Sequence, residues 1–180
     1  NQLAWFDGNE DRVTLTEFDF IPGQTMNMWL FSNDSSPYRS IFGNNTTRNY
    51  IRFKNTDEAG AFQFETNLNT GDGDDAEVVY GIDTGSTVIP EGEWYMLTFI
   101  WLSADRTMKA YINGEHVGTS SATVDSTNGK KIKVSRFGMG YSSGDDVDFN
   151  GAMTEISSYN DQLSQDEIND LYNDGKAKDA

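Results

Sequence analysis

Residues 94–101 read Trp-Tyr-Met-Leu-Thr-Phe-Ile-Trp, a run in which only Thr98 breaks the apolar and aromatic sequence. A surface helix keeps a polar face and a half-buried strand alternates, and this stretch does neither. Its length and its aromatic content predict a strand covered on both faces, in the middle of a layered β protein. Working outward, residues 108–112 alternate as Met-Lys-Ala-Tyr-Ile, which predicts a second strand. Asn113-Gly114 then separates Ile112 from Glu115-His116-Val117. Asn-Gly supplies the two positive φ angles of a type I′ turn, so 108–117 is expected to be a hairpin.

The same period of two recurs at 26–31 (Met-Asn-Met-Trp-Leu-Phe), 51–53, 62–65 and 78–80, and predicts half-buried strands. Between these runs lie clusters of Gly, Asn, Asp and Ser, at 32–36, 43–47, 69–75, 103–106, 125–129 and 142–146. These residues favour turns through positive φ and local side-chain hydrogen bonds. Short strands at that spacing predict a sandwich. Near the end the pattern changes. Ser164 is a good N-cap, Glu167 completes a capping box, and Leu163 with Ile168 forms a hydrophobic staple. Ile168, Leu171 and Tyr172 give an i, i+3, i+4 stripe and Gly175 a C-cap, so a helix of about ten residues is expected there. The organisation is one domain, 1–175, with 176–180 as a frayed tail.

Composition excludes several chemistries. The chain of 180 residues has no Cys and one His, which removes disulfide scaffolds, thiol catalysis and Cys- or His-built zinc sites. With 13 basic and 29 acidic side chains the net charge is −16, the wrong sign for nucleic acid, which binds basic surfaces. No apolar run approaches the ~20 residues that span a bilayer. The chain opens Asn1-Gln2-Leu3 without an initiator Met or signal peptide, as expected of a segment of a longer protein.

Three segments, in order, resemble the laminin-G-like jelly roll of the concanavalin A-like lectin/glucanase superfamily. The first is Ala4-Trp5-Phe6-Asp7-Gly8-Asn9-Glu10-Asp11-Arg12-Val13. The second runs from Pro90-Glu91-Gly92-Glu93-Trp94 through the 94–101 strand to Tyr111-Ile112-Asn113-Gly114. The third is Phe149-Asn150-Gly151-Ala152-Met153-Thr154-Glu155-Ile156, leading to Leu163-Ser164, Glu167-Ile168, Leu171-Tyr172 and Gly175. The resemblance implies an all-β, two-sheet antiparallel jelly-roll sandwich with one short C-terminal helix. It also implies that Asp7 and Asp11 belong to a motif where a structural Ca2+ can sit between first and last strands. Thr154 stands where the closing strand commonly carries Asp, which departs from that pattern. The fold hosts enzymes, lectins and adhesion modules alike, so function rests on the residues.

Glucanase chemistry on this fold needs carboxylates paired on one strand. Glu91 and Glu93 flank Gly92 in a turn, Glu155 is alone, and the expectation is that no strand carries such a pair. His116 has no Ser or Asp partner nearby and is expected on a surface strand. Calcium needs several oxygens at once. Two loops could provide them: 69–75, with Asp72 and Asp74, and 143–148, with Asp145 and Asp146. Asp and Gly are equally ordinary turn residues, so both readings stand. For sugar stacking, Trp5, Trp29 and Trp94 are expected in the core. Trp101 ends its strand beside Ser103-Ala104-Asp105-Arg106 and is expected to be exposed. Tyr38 and Tyr141, in loops, and Arg39, in an Arg39/Arg48/Arg52 stretch poor in acids, complete the candidate ligand set.

The expected role is a non-catalytic, extracellular carbohydrate- or cell-surface-binding module, with Ca2+ as the expected cofactor and a glycan or cell-surface polysaccharide as the expected partner. No nucleic acid and no membrane insertion are expected. The location expected is extracellular, on a cell surface or on a virion. The alternative is a structural or assembly domain of a virion appendage or adhesin, and a glycan hydrolase or lyase is a third.

Overall fold

The computed structural model describes residues 3–33, 39–44, 50–55, 62–68, 78–83, 90–105, 107–120, 131–139 and 148–175. Tyr38, Arg48, Tyr141, Asp72, Asp74, Asp145, Asp146 and the 176–180 tail lie outside the described residues. The strands are β1 (Ala4–Asp7), β2 (Val13–Phe20), β3 (Thr25–Ser32), β4 (Ser40–Gly43), β5 (Tyr50–Asn55), β6 (Phe62–Leu68), β7 (Val78–Asp83), β8 (Trp94–Trp101), β9 (Met108–Ile112), β10 (Glu115–Thr119), β11 (Ile132–Phe137) and β12 (Asn150–Tyr159). One α-helix follows, α1 (Gln165–Tyr172), and a 3-10 turn, Asn173–Gly175, continues it.

Among the described residues these strands form two antiparallel six-stranded sheets. The first has the order β1-β12-β3-β8-β9-β10 and the second β2-β11-β4-β5-β6-β7. The chain crosses between sheets repeatedly, and the first and last strands lie side by side, as in a jelly roll. The sandwich architecture expected from the alternating runs is the one observed.

β8 is covered on both faces, as its composition predicts. Its odd-numbered side chains, Tyr95 to Trp101, point into the sandwich, where Trp101 meets Phe20 at 5.7 Å and Phe99 meets Phe42 edge-on at 6.2 Å. Its even-numbered Met96 and Ile100 point outward into a second apolar cluster. β3, expected to be half-buried, is buried along almost its whole length. The reason is that its outward side is roofed by α1 and the 160–164 segment leading to it.

The Asn113-Gly114 hairpin joins β9 to β10, with φ of 53° and 82°. α1 begins at the capping box expected: Ser164 Oγ accepts from the Glu167 backbone N–H, and the Ser164 N–H donates to Glu167 Oε2 at 2.7 Å. It ends earlier than expected. Asn173, not Gly175, takes the left-handed C-cap conformation, and the helix has eight residues rather than about ten. Asn, like Gly, tolerates that conformation, so the helix can end two residues before the glycine.

Candidate functional site

The outward face of the first sheet carries two aromatic groups. In one, Trp29 stacks on Tyr172 at 5.9 Å and 20°, with Met96, Ile100, Tyr111 and Ile168 around it. The helix is strapped in place. Thr25 Oγ1 donates to the Asp161 carbonyl at 2.8 Å and accepts from the Leu163 N–H at 3.1 Å. Gln165 Nε2 donates to the Gly114 carbonyl at 2.7 Å, which ties α1 to the hairpin. Trp29 is therefore only 7% exposed.

The other group is not roofed by α1. Trp5 on β1 pairs with Ala152 on β12, Ala152 with Phe31 on β3, and Phe31 with Trp94 on β8. Residues in one cross-strand row share a face. Adjacent strands lie about 4.8 Å apart, so the row spans about 14 Å. Ala152 is small enough for the Trp5 and Phe31 rings to approach to 6.2 Å across it. Phe31 and Trp94 lie 5.7 Å apart. Trp5 is 59% exposed and Trp94 41%.

One pleat toward the strand ends, the same face turns polar. Asp7 pairs with Asn150, and the Asn33 N–H donates to the Asn150 carbonyl at 3.0 Å. The Asn33 side-chain amide donates to Asn150 Oδ1, also at 3.0 Å. That bond leaves the Asn150 Nδ2 hydrogens and the Asn33 Oδ1 without a further partner among the described residues. A sugar ring has an apolar C–H face and a hydroxyl edge. Two exposed rings with a half-buried one between them, bordered by amides and a carboxylate, offer a surface for each. Isolated exposed apolar residues are ordinary, but three adjacent rings in one row are not.

Trp29 is buried as expected, and the other three tryptophans change place. Trp5 and Trp94, expected in the core, are exposed, and Trp101, expected outside, is 1% exposed against Phe20. The cause is strand parity. Trp101 shares its face with Tyr95 and Phe99, and Trp94 shares its face with Met96 and Ile100. Trp5 is the outward neighbour of the core residue Phe6. The signal was present, since neighbours two apart share a face. Nothing in a run apolar on both faces says which parity is inside.

The remaining candidates are spread out. Arg39 is half-buried and its Nη1 donates to the Asp148 carbonyl at 2.9 Å, beside the bridge between Ser40 and Asp148. Arg52 lies 4.6 Å over the Tyr50 ring. Neither is on the aromatic face, because both belong to the second sheet's side of the sandwich. Asp7 and Asp11 do come together, but as turn acceptors. Asp7 Oδ1 accepts from the Asn9 N–H and Asp11 Oδ2 from the Asp7 N–H, each at 2.9 Å. No third acid or His joins them in a metal-holding group among the described residues. Among the described residues these two carboxylates, each with one oxygen engaged, supply fewer than the six to eight oxygens that calcium takes. Opposite Asp7 stands Asn150, not Thr154, which pairs with Trp29 further along β12. Glu155 sits at a bulge with φ of 51°, where strict alternation fails.

The expectation that no strand carries two carboxylates on one face is also corrected. Glu17 and Asp19 lie two apart on β2. They face Lys133 at 2.7 Å and Lys131 at 2.8 Å, and Glu17 also accepts from the Asn44 amide. The carboxylates are engaged in ion pairs at the sheet surface. His116 is exposed on β10, as expected, with its ring 5.2 Å from that of Tyr111.

Residues 7–169 match the Laminin_G_3 family of the concanavalin A-like lectin/glucanases superfamily. The chain belongs to this family. No curated protein matches it. Among solved structures, a heptameric SAP-like pentraxin from Limulus polyphemus is similar, with a TM-score of 0.66 at 12% identity, over 94% of this chain and 80% of that one. Domain 4 of AbnA, an extracellular arabinanase from Geobacillus stearothermophilus in complex with arabinotriose, has a TM-score of 0.55 at 17% identity, over 96% and 82%. The CBM40 domain of a Ruminococcus gnavus sialidase, bound to α2,3-sialyllactose, has a TM-score of 0.57 at 15% identity, over 91% and 97%. At these identities the likeness is one of fold.

Proposed function

We propose that this family member is a non-catalytic carbohydrate-binding module that stacks sugar rings on Trp5, Phe31 and Trp94 and holds hydroxyls with Asp7, Asn33 and Asn150. The observation that carries the proposal is the exposure of Trp5 and Trp94 in one row, when comparable residues on the same face are buried. The arabinotriose and sialyllactose held by two of the similar domains add support at the level of ligand class. The engagement of Glu17 and Asp19 by lysines supports the non-catalytic half, because a glycosidase needs both carboxylates at the scissile bond. The setting proposed is extracellular, on a cell surface or on a virion.

A glycan array and a panel of polysaccharides test the proposal, run with calcium and with chelator because loops 69–75 and 143–148 are acid-rich. The expected result is binding to at least one glycan, weakened about 30-fold by Trp5→Ala or Trp94→Ala, the ~2 kcal/mol of an aromatic hot spot. No binding in either condition would sink the proposal and favour a structural or assembly role. Release of reducing ends from any polysaccharide would sink its non-catalytic half.

A further inference from the structure

The cations at the outward face of β11 are not treated alike. Lys131 meets Asp19 at 2.8 Å and Lys133 meets Glu17 at 2.7 Å, both acids supplied by β2. Further along the same strand pair, the β2 residue in register with Arg136 is Thr14. The group that Arg136 shares a contact with is instead another arginine. Arg136 Nη1 and Arg12 Nη1 both point at the Met139 sulfur, at 3.8 Å and 3.7 Å. Arg12 also donates to the Glu10 carbonyl at 3.3 Å. Among the described residues, neither guanidinium has a carboxylate partner. This occurs in a chain with 29 acids and 13 basic residues, where a pairing acid is the easier thing to find.

Two cations converging on a neutral thioether are unfavourable by themselves. The sulfur is a weak acceptor and cannot neutralise either charge. Arg136 is half-buried, and loss of water, followed by the nearby Arg12 charge, lowers its pKa. The geometry is held by the fold. Phe137 pairs with Val13 in register, which sets Arg136 and Arg12 on either side of that pair. Gly138, with φ of 85°, then turns the chain toward Met139. A Cβ there would collide with the Phe6 ring, so the close approach requires glycine.

We propose that Arg12 and Arg136 form an oxyanion site, a two-guanidinium clamp that takes the sulfate or carboxylate group of an acidic sugar. Guanidinium forks match such groups with two parallel N–H bonds each. The assignment to a sugar rests on the glycan-binding proposal above, whereas the clamp itself does not. The β1–β2 turn connects the two regions along the chain: Asp7 ends β1 beside the aromatic row, and Arg12 directly precedes β2.

The test titrates inorganic sulfate and sodium glucuronate into the protein at constant ionic strength, reading the arginine Nε–Hε resonances by NMR. Saturable shifts confined to Arg12 and Arg136 are expected. Arg12→Gln, in an exposed turn, and Arg136→Gln are each expected to weaken binding about tenfold, the size of a charged hydrogen bond lost. Lys131→Gln is expected to leave it unchanged. Arg136→Lys, which keeps the charge and loses the fork, is expected to fall between, and covers the case in which Arg136→Gln does not fold. A shift that does not saturate, or an equal loss with Lys131→Gln, overturns the clamp. A sulfated and a neutral oligosaccharide of the same backbone then separate the two proposals. Preference for the sulfated one that disappears in Arg12→Gln supports the sugar assignment. Glycan binding indifferent to sulfate overturns the clamp as a sugar site and leaves the aromatic row standing. Sulfate binding with no glycan bound overturns the glycan-binding proposal and leaves the clamp standing.

Discussion

Trp29 and Trp5 stand on the same face of the same sheet, yet one is 7% exposed and the other 59%. Both lie among aromatic neighbours at stacking distance: Tyr172 at 5.9 Å for Trp29, and Phe31 at 6.2 Å for Trp5. What separates them is α1, whose Ile168 and Tyr172 close over Trp29 and whose eight residues do not extend to Trp5. The comparison teaches that this sheet face carries aromatic rings both under the helix and beyond it, and that the helix divides them into a core and a surface.

The largest expected effect comes from breaking the roofed side. Trp29→Ala should cost about 3–5 kcal/mol of stability, as for other buried aromatics, by removing the partner on which Tyr172 and Ile168 pack. Urea unfolding reads this directly. Trp5→Ala should change stability by under ~1 kcal/mol, because an exposed ring makes few buried contacts. Equal losses for the two variants would break the comparison.

A smaller effect sharpens it. Ser164→Ala removes the N-cap oxygen and should cost about 1 kcal/mol. It should also raise acrylamide quenching of Trp29 fluorescence, measured with Trp5 and Trp94 replaced by Phe. Quenching that does not change would mean that the roof does not depend on its cap.

The smallest expected effect is a pH dependence. Hydrogen bonds from the Ser164 hydroxyl and then its backbone N–H hold the Glu167 carboxyl below its ordinary value of 4.5. A depressed folded-state pKa contributes stability that is present above the unfolded value and lost as pH falls through the folded one. The melting gap between wild type and Glu167→Ala should therefore be constant near neutrality and close below about pH 4. A gap that persists at pH 2.5 would show that the carboxylate charge is not what the cap uses.

The strongest local signals were legible because each depends on neighbours in sequence. The run 94–101 has too few polar residues to face water on either side. Asn113-Gly114 has the torsional freedom of its turn, and Ser164 with Glu167 completes a cap within one turn of helix. The site was not legible in the same way. In 94–101 both parities are apolar, so alternation alone does not say that Trp94 points out and Trp101 in. Ala4-Trp5-Phe6 fits a core strand equally well with either residue inward. Glu17 and Asp19 were readable as an i, i+2 pair on β2. Their engagement was not, since Lys131 and Lys133 come from a distant strand. The same distance hides the Arg12–Arg136 approach.

By itself the sequence determined the layered β architecture, the hairpin and the closing helix, because period, turn residues and caps act over a few positions. Tertiary structure alone decided which tryptophans became core and which became surface, and which cations found a carboxylate. Those outcomes depend on where the other sheet and the helix lie. Solvent exposure and ion pairing are properties of what covers a side chain, and here the cover comes from residues far along the chain.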